Sequence, residues 1–273
     1  GFEEDYEAYL TVLAQRVKAL SDTANATEWQ RCAITASAMG GDPADLEGID
    51  LVKGGVYGRD ENNSVGKQGL NGWIFALLTL DTMGYKTPEG AEFDRERILD
   101  EIVSSQNTDG GFSLSKGESD IDITAMALQA IAPYYNDFSR DDVRKSVGKA
   151  VEYLSGKQDS SGTFGSAEAD SQVVIALCSL GIDPEADSRF VKSSELLTAM
   201  LSYQNSDGGF SHEKGGDSDE LATGQALCAL AAQKRFELTM RRIYDMREEL
   251  SVLQREKLDC INGRLSDISD EES

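Results

Sequence analysis

The sequence is poor in the residues from which metal sites are most often built. Among its 273 residues it has one histidine, His212, and four cysteines. The cysteines show no C-x-x-C spacing and no histidine-rich segment accompanies them, which argues against a zinc site. Cys178 and Cys228 each follow the Leu of an Ala-Leu pair, so we expect them to be small buried apolar residues. We predict no metal and no cofactor.

Proline is also scarce, since only four prolines accompany 26 glycines. The glycines are concentrated between Ala/Leu-rich runs, a pattern typical of helices joined by glycine-rich turns. We therefore predict an almost entirely helical protein with few or no strands.

Basic residues are outnumbered, with 26 Lys and Arg against 49 Asp and Glu and a formal net charge of −23. This charge repels phosphate backbones and anionic membrane surfaces, so nucleic acid is not an expected partner. No apolar stretch is long enough to span a membrane, and no signal-peptide pattern is present. Direct membrane insertion is not expected.

What the chain does contain is a motif written three times, at residues 106–112, 158–164 and 204–210. The intervals from Gln to Gln are 52 and 46 residues, and an Ala/Leu-rich run follows each copy. A period of that length, two helices long, predicts stacked helical pairs. The motif residues are Gln106, Asp109, Gly110, Phe112, Gln158, Phe164, Gln204, Asp207, Gly208 and Phe210.

Each part of the motif has a structural explanation. Asp-Gly-Gly supplies a tight turn in which glycine takes a positive φ. The Gln is expected to close the outgoing helix through an unpaired terminal backbone group, and the Phe to pack between neighbouring pairs. None of these residues is a strong nucleophile or base, so the motif predicts architecture and not chemistry.

Helical periodicity divides the chain into two layers. Inner helices are predicted at 68–83, 122–131, 169–180 and 221–232, and outer helices at 94–106, with an acidic cap at Asp94, and at 140–158 and 192–204. We assign residues 1–235 to a repeat domain and 236–273 to a charged amphipathic tail. The tail closes the ring, pairs with a second copy as a coiled coil, or links to a further domain; the sequence leaves these three open.

The run from Asp120 to Tyr135, together with the repeats, resembles the squalene cyclase and prenyltransferase α/α toroid superfamily. The resemblance implies an all-α fold, an α/α toroid of five to six helical hairpins in two concentric layers, near (α/α)6. Segments 68–71, 172–184 and 243–246 look like the toroid domains of Gram-positive cell-surface proteins. That branch implies an extracellular or cell-surface location and no settled activity.

In the cyclases of this superfamily, the middle Asp of an Asp-x-Asp-Asp-Thr-Ala motif protonates an alkene or epoxide. Here the run is Asp120-Ile-Asp-Ile-Thr-Ala125, which places Asp122 at the acid position but replaces the next Asp with Ile123. Aromatic residues, which stabilise carbocations through cation–π contact, make up only 7% of the chain. The structural alternative is that Asp120 and Asp122 cap an inner helix. Protein prenyltransferases resemble the same fold but need zinc held by Asp, Cys and His. The single histidine, which we place in a surface loop, therefore disfavours prenyl transfer.

The predicted inner helices begin with polar residues. Because the inner helices of an α/α toroid run parallel, their N-terminal ends lie at the same mouth of the ring. The candidate ligand-binding residues are Asn71, Asp120, Asp122, Glu168, Gln172, Thr223 and Gln225. They predict a polar, acidic opening over an apolar throat, suited to a cation, a polar small molecule or a peptide terminus. The acidic loop at 217–220 lacks EF-hand spacing and is expected to be solvated.

The main hypothesis from sequence is a non-catalytic module of a secreted or cell-surface protein that binds an unknown small molecule or an extracellular protein or peptide at the acidic mouth. The first alternative is a terpene-cyclase-like enzyme that uses Asp122, or Glu168, as an acid. The second is a structural or spacer protein that self-associates through the C-terminal helix.

Overall fold

The computed structural model describes residues 2–20 and 24–247. The helices are α1 Phe2–Lys18, α2 Ala26–Ala38, α3 Leu70–Thr82, α4 Arg95–Ser104, α5 Ile121–Ile131, α6 Asp141–Lys157, α7 Ala167–Leu180, α8 Leu196–Leu201 and α9 Glu220–Glu237. A π-helical turn, Lys53–Tyr57, and 3-10 turns at Glu61–Asn63, Val65–Gln68 and Ala132–Tyr134 complete the helical part. Two short strands, β1 Phe210–Ser211 and β2 Ser218–Asp219, pair antiparallel with Phe210 opposite Asp219.

The helices form two layers, as the sequence predicts for an α/α toroid. In the inner layer α2 packs on α3, α3 on α5, α5 on α7 and α7 on α9, while α1, α4, α6 and α8 lie outside them. The inner helix α3 is buried along most of its length because it is packed on both sides. The outer helix α6 is buried only along one stripe. The open side of α9 leaves Leu221 and Leu227 63% and 58% exposed.

Side-chain caps define where the helices begin. The carboxylate of Asp94 accepts a hydrogen bond from the Arg97 amide at the start of α4, which confirms the predicted cap. On the inner layer Asp120, Ser166 and Asp219 cap α5, α7 and α9 in the same way. Each accepts from the amide three residues ahead, so one unpaired helix-terminal donor is satisfied.

The outer helix α8 is shorter than the predicted 192–204. The main chain before it bonds to other groups: the Ser193 amide donates to the Ser160 carbonyl and the Lys192 amide to the Ser194 carbonyl. Because one of these bonds ties the main chain to another segment and the other forms a local turn, the helix begins only at Leu196.

The Gln of the repeat motif acts differently from the prediction. The Gln106 amide donates to the Gly110 carbonyl at 2.8 Å and to the Ser146 carbonyl of α6 at 2.8 Å. Gln158 makes the corresponding pair of bonds to Gly162 and Phe190. The Gln therefore ties the turn to the next repeat and does not close the outgoing helix.

A second contact fixes each turn to its own inner helix. The amides of Phe112, Phe164 and Phe210 donate to Thr124 Oγ1, Asp170 Oδ1 and Thr223 Oγ1, at 2.8, 2.6 and 2.9 Å. Each acceptor lies four residues after the cap of its helix. We call this contact the turn pin; in the second copy a buried carboxyl replaces the hydroxyl of the other two.

Residues 239–247 cross the C-terminal ends of the inner helices. The Arg242 guanidinium donates to the carbonyls of Ser179 and Ala132, which lie at the ends of α7 and α5. The Met246 amide donates to the Thr82 carbonyl at the end of α3. We call this end of the ring the covered mouth.

The cysteines and the end of α9 differ from what the sequence predicts. Cys228 is exposed and Cys178 is only partly buried, so the expectation of two buried cysteines is wrong. The predicted domain boundary at residue 235 falls within α9, which continues to Glu237. The tail predictions that rest on Leu250, Leu253, Ile261, Leu265 and Ser266–Ser273 lie outside the described residues.

Candidate active site

The N-terminal ends of α3, α5 and α7 place three polar side chains at one level. Asn71, Asp122 and Glu168 each follow the cap residue of their helix by two positions. This shared register on adjacent helices brings them to the same opening of the ring. We call this opening the acidic mouth.

Asp122 is the most unusual of the three. Its Oδ1 atom is buried and has no hydrogen-bond partner among the described residues. Burial, together with the negative charges of Asp120 and Glu168, raises the pKa of this carboxyl to about 6, and only His212 opposes them. A carboxyl held this way keeps its proton close to neutral pH and can donate it.

The alternative prediction that both aspartates cap the helix holds for one of them. Asp120 Oδ1 accepts from the Ile123 amide at 2.9 Å and is the cap. Asp122 lies in the first turn of the helix and makes no such bond. The two carboxylates therefore have different environments although only one residue separates them.

Glu168 is paired with the single histidine. His212 Nδ1 lies 2.9 Å from Glu168 Oε2, and the two side chains are 62% and 10% exposed. The hydrogen bond and the charge of Glu168 raise the pKa of His212. The histidine is exposed, as predicted, but its contact with Glu168 makes it part of the acidic mouth.

A chain of side-chain amides crosses the ring one to two helical turns further in than Asp122 and Glu168. Gln129 Nε2 donates to Gln172 Oε1 at 2.8 Å, and Gln172 Nε2 donates to Gln225 Oε1 at 3.0 Å. The sequence indicated Gln172 and Gln225 but missed Gln129. Gln129 lies seven residues after Asp122, on the same face of α5, and that spacing was the available signal.

The remaining candidate residues from the sequence are Asn71, Thr223 and Asp120, and the structure gives them different surroundings. Asn71 Oδ1 is buried without a partner among the described residues, as Asp122 Oδ1 is. Thr223 is held by its turn pin to Phe210, and Asp120 by its capping bond. One turn below Asn71, the guanidinium of Arg31 lies 4.9 Å from the centre of the Phe75 ring, a cation–π contact.

The described part of the chain has neither a cluster of metal ligands nor a helix that could span a membrane. No group of three His, Cys, Asp or Glu side chains in residues 2–20 and 24–247 is arranged to hold a metal ion. In the same part of the chain, no helix combines the length and the apolar character needed to cross a membrane.

The fold and the acidic mouth define an all-helical toroid with a buried carboxyl at one opening. Residues 61–271 match the model of the prenyltransferase alpha-alpha toroid domain, and the chain belongs to that family. This confirms the superfamily expected from the repeats. The Gram-positive surface-protein branch and the cell-surface location stay predictions.

The known proteins that are similar to this chain include a synthase and a transferase. Drimenyl diphosphate synthase from Streptomyces showdoensis is 32% identical over 143 residues, which are 49% of this chain and 26% of the synthase. The chain thus matches about a quarter of that relative's length. A solved structure of Candida albicans protein geranylgeranyltransferase-I complexed with GGPP matches with a TM-score of 0.61 at 14% identity, over 89% of this chain and 82% of that one. At this identity the second likeness supports the fold alone.

The synthase overturns the main hypothesis from sequence as far as it made the module non-catalytic. One argument against a cyclase was Ile123, which replaces an acidic neighbour of Asp122. The pKa of Asp122 is raised instead by burial and by Asp120 and Glu168. The loss of one carboxylate from the motif is therefore compatible with an acid at this position.

Proposed function

We propose that this chain carries the acid of a protonation-initiated terpene cyclase that acts on a linear isoprenoid diphosphate. The observation that carries the proposal is Asp122, a half-buried carboxyl with one buried, unpaired oxygen and a pKa raised to about 6, at the acid position of the motif. The similarity to drimenyl diphosphate synthase supports the class of substrate.

In the proposed reaction the Asp122 carboxyl donates its proton to the distal alkene of the substrate. One C–H bond forms and a tertiary carbocation remains, which the next alkene attacks to close a ring. Loss of a proton from carbon to a base then ends the reaction as an isomerisation, and the diphosphate is retained. Asp122 returns to its protonated form by taking a proton from solvent.

Glu168 is the less suitable acid because His212 already contacts its carboxylate. Its role in the proposal is electrostatic, since its negative charge raises the pKa of Asp122 and favours the protonated form. Asn71, with its buried and unpaired oxygen, faces the same opening and is proposed to orient the substrate or the proton.

The test is incubation of the full chain with geranyl, farnesyl and geranylgeranyl diphosphate in D₂O, followed by mass spectrometry of the products. We expect a cyclised diphosphate that carries deuterium, and its loss in Asp122→Asn. Asp219→Asn is the matched control, because Asn also caps helices well and Asp219 caps α9. Equal product from wild type and Asp122→Asn excludes Asp122 as the acid, and no cyclised product from any of the substrates would overturn the proposal for this chain.

A further inference from the structure

The covered mouth encloses a cavity of about 370 Å³ that the proposed reaction does not use. Its walls come from the C-terminal ends of α3, α5 and α7 and from residues 242–247. Asp122 begins α5, whereas the cavity contacts α5 and the turn after it at Gln129, Pro133 and Tyr134. The two sites therefore lie at opposite ends of the inner helices.

The charged side chains of this cavity are mostly basic. They are Lys86, Arg95, Arg242 and Arg247, against Asp81 and Asp245. The lining thus carries two positive charges in excess, although the whole chain has a net charge of −23. In so acidic a protein, a partly enclosed cavity with an excess of basic side chains is suited to an anion.

The guanidinium of Arg242 is held by neutral groups. Its Nε donates to the Ser179 carbonyl at 2.6 Å and its Nη2 to the Ala132 carbonyl at 3.1 Å. Burial lowers the pKa of Arg242, and the negative charges of Asp245 and Asp81 offset this only in part. A bound anion would add the further negative charge that this buried guanidinium lacks.

The other cations are positioned around the same space. Arg95 Nε pairs with Asp81 at 2.9 Å, and its Nη2 donates to the carbonyls of Leu80 and Tyr85, which fixes the plane of the guanidinium. Lys86 is exposed at the rim and makes no ion pair with any described residue. Leu78 and the ring of Tyr244 give the cavity an apolar wall.

We propose that the covered mouth is a second binding site, specific for a phosphate or diphosphate group. Fixed guanidinium groups and a mobile ammonium suit the several oxygens of such a group, each of which accepts charge-assisted hydrogen bonds. The volume lies in the range of small-molecule sites, about 300–1,000 Å³. The site takes either the free anion or the head group of a phosphorylated small molecule with a short apolar part.

The experiment measures binding to the full chain by titration calorimetry, with inorganic phosphate, inorganic diphosphate, geranyl diphosphate and geraniol as separate probes. We expect saturable binding of at least one phosphorylated probe and none of geraniol. Stronger binding of geranyl diphosphate than of inorganic diphosphate identifies an esterified ligand, and equal binding identifies the free anion.

Lys86→Met is the decisive variant, because Lys86 is exposed and its removal leaves the fold intact. We expect binding to weaken about tenfold, the effect of about 1.4 kcal/mol from one charge-assisted contact. Lys149→Met is the matched control, since Lys149 is exposed on α6 and does not line the cavity.

The imidazole NMR signals of His212 separate this site from the acidic mouth, because His212 contacts Glu168 there and is the only histidine. With inorganic phosphate and inorganic diphosphate as probes, we expect no change in these signals on binding, and unchanged binding in Asp122→Asn, whether or not the chain is a cyclase. The proposal is overturned by absence of binding at millimolar concentrations, by equal affinities of Lys86→Met and wild type, or by a shift of the His212 signals with either inorganic probe.

Discussion

His212 and Glu168 lie 44 residues apart in the sequence, and His212 Nδ1 is 2.9 Å from Glu168 Oε2. The contact joins the turn after β1 to the first turn of α7, beside Asp122. It connects an exposed titratable ring with a nearly buried carboxylate that acts electrostatically on the proposed acid.

This contact predicts the titration of the histidine. We expect an NMR titration of His212 to give a pKa above its ordinary value, because Glu168 stabilises the protonated ring. Glu168→Gln should bring the pKa back toward that value, whereas Glu220→Gln, a change of an exposed residue on α9, should have a smaller effect. Equal pKa values in wild type and Glu168→Gln would show that the pair does not form in solution.

The proposed acid predicts a pH–rate profile. Asp122 must be protonated to act, so cyclase activity should fall as the pH rises through about 6, tenfold for each further pH unit. Removing the charge of Glu168 lowers the pKa of Asp122, and the falling limb should move to lower pH in Glu168→Gln. If activity falls at the same pH in wild type and in Glu168→Gln, the titrating group is not Asp122.

Asp170 predicts how stability depends on pH. This carboxyl is fully buried at the turn pin of Phe164, and burial raises its pKa to about 7. In the unfolded chain it ionises near its ordinary value, so its contribution to stability is complete below about pH 4 and is lost as the pH rises through about 7. We expect urea denaturation to show a fall in stability over this range that is smaller in Asp170→Asn, and parallel curves would contradict it.

Two motif glycines allow a matched comparison. Gly110 and Gly208 have φ of +90° and +91°, so alanine is strained at both, by about 1–2 kcal/mol. At Gly110 an added Cβ would also lie 2.6 Å from the Lys149 carbonyl, whereas at Gly208 it would meet no atom within 4 Å. Thermal or urea denaturation should therefore show a greater loss of stability for Gly110→Ala than for Gly208→Ala, by about 1–3 kcal/mol. Equal losses would mean that backbone strain alone decides the effect.

The architecture could be predicted because its signals are local. The repeated motif, the apolar periodicity and the cap at Asp94 each lie within a few residues, and they gave the two layers and most of the helices. The turn pins could not be predicted from them, since an inner-helix hydroxyl or carboxyl finds its partner only once the turn is folded. The exposure of Cys228 was also missed, because it depends on what packs against α9.

The site was predictable in part. The register of Asn71, Asp122 and Glu168 follows from helix starts that the sequence shows, but the pairing of Glu168 with His212 spans two repeats. The covered mouth brings Arg242 to Lys86 and Arg95, which lie about 150 residues earlier in the sequence, and no motif marks these residues. The hypothesis of a non-catalytic module was wrong, and one of the arguments for it judged the acidity of Asp122 from the adjacent residue Ile123, whereas the charges that act on Asp122 are partly distant in sequence.

The turn pins also bear on how quickly the chain folds. They join residues only 12, 6 and 13 positions apart, so closing each one costs little loop entropy. Arrays whose contacts are mainly within and between adjacent repeats can nucleate at any repeat and grow in both directions. A chain that emerges gradually during synthesis can therefore complete its first hairpins before the last ones exist.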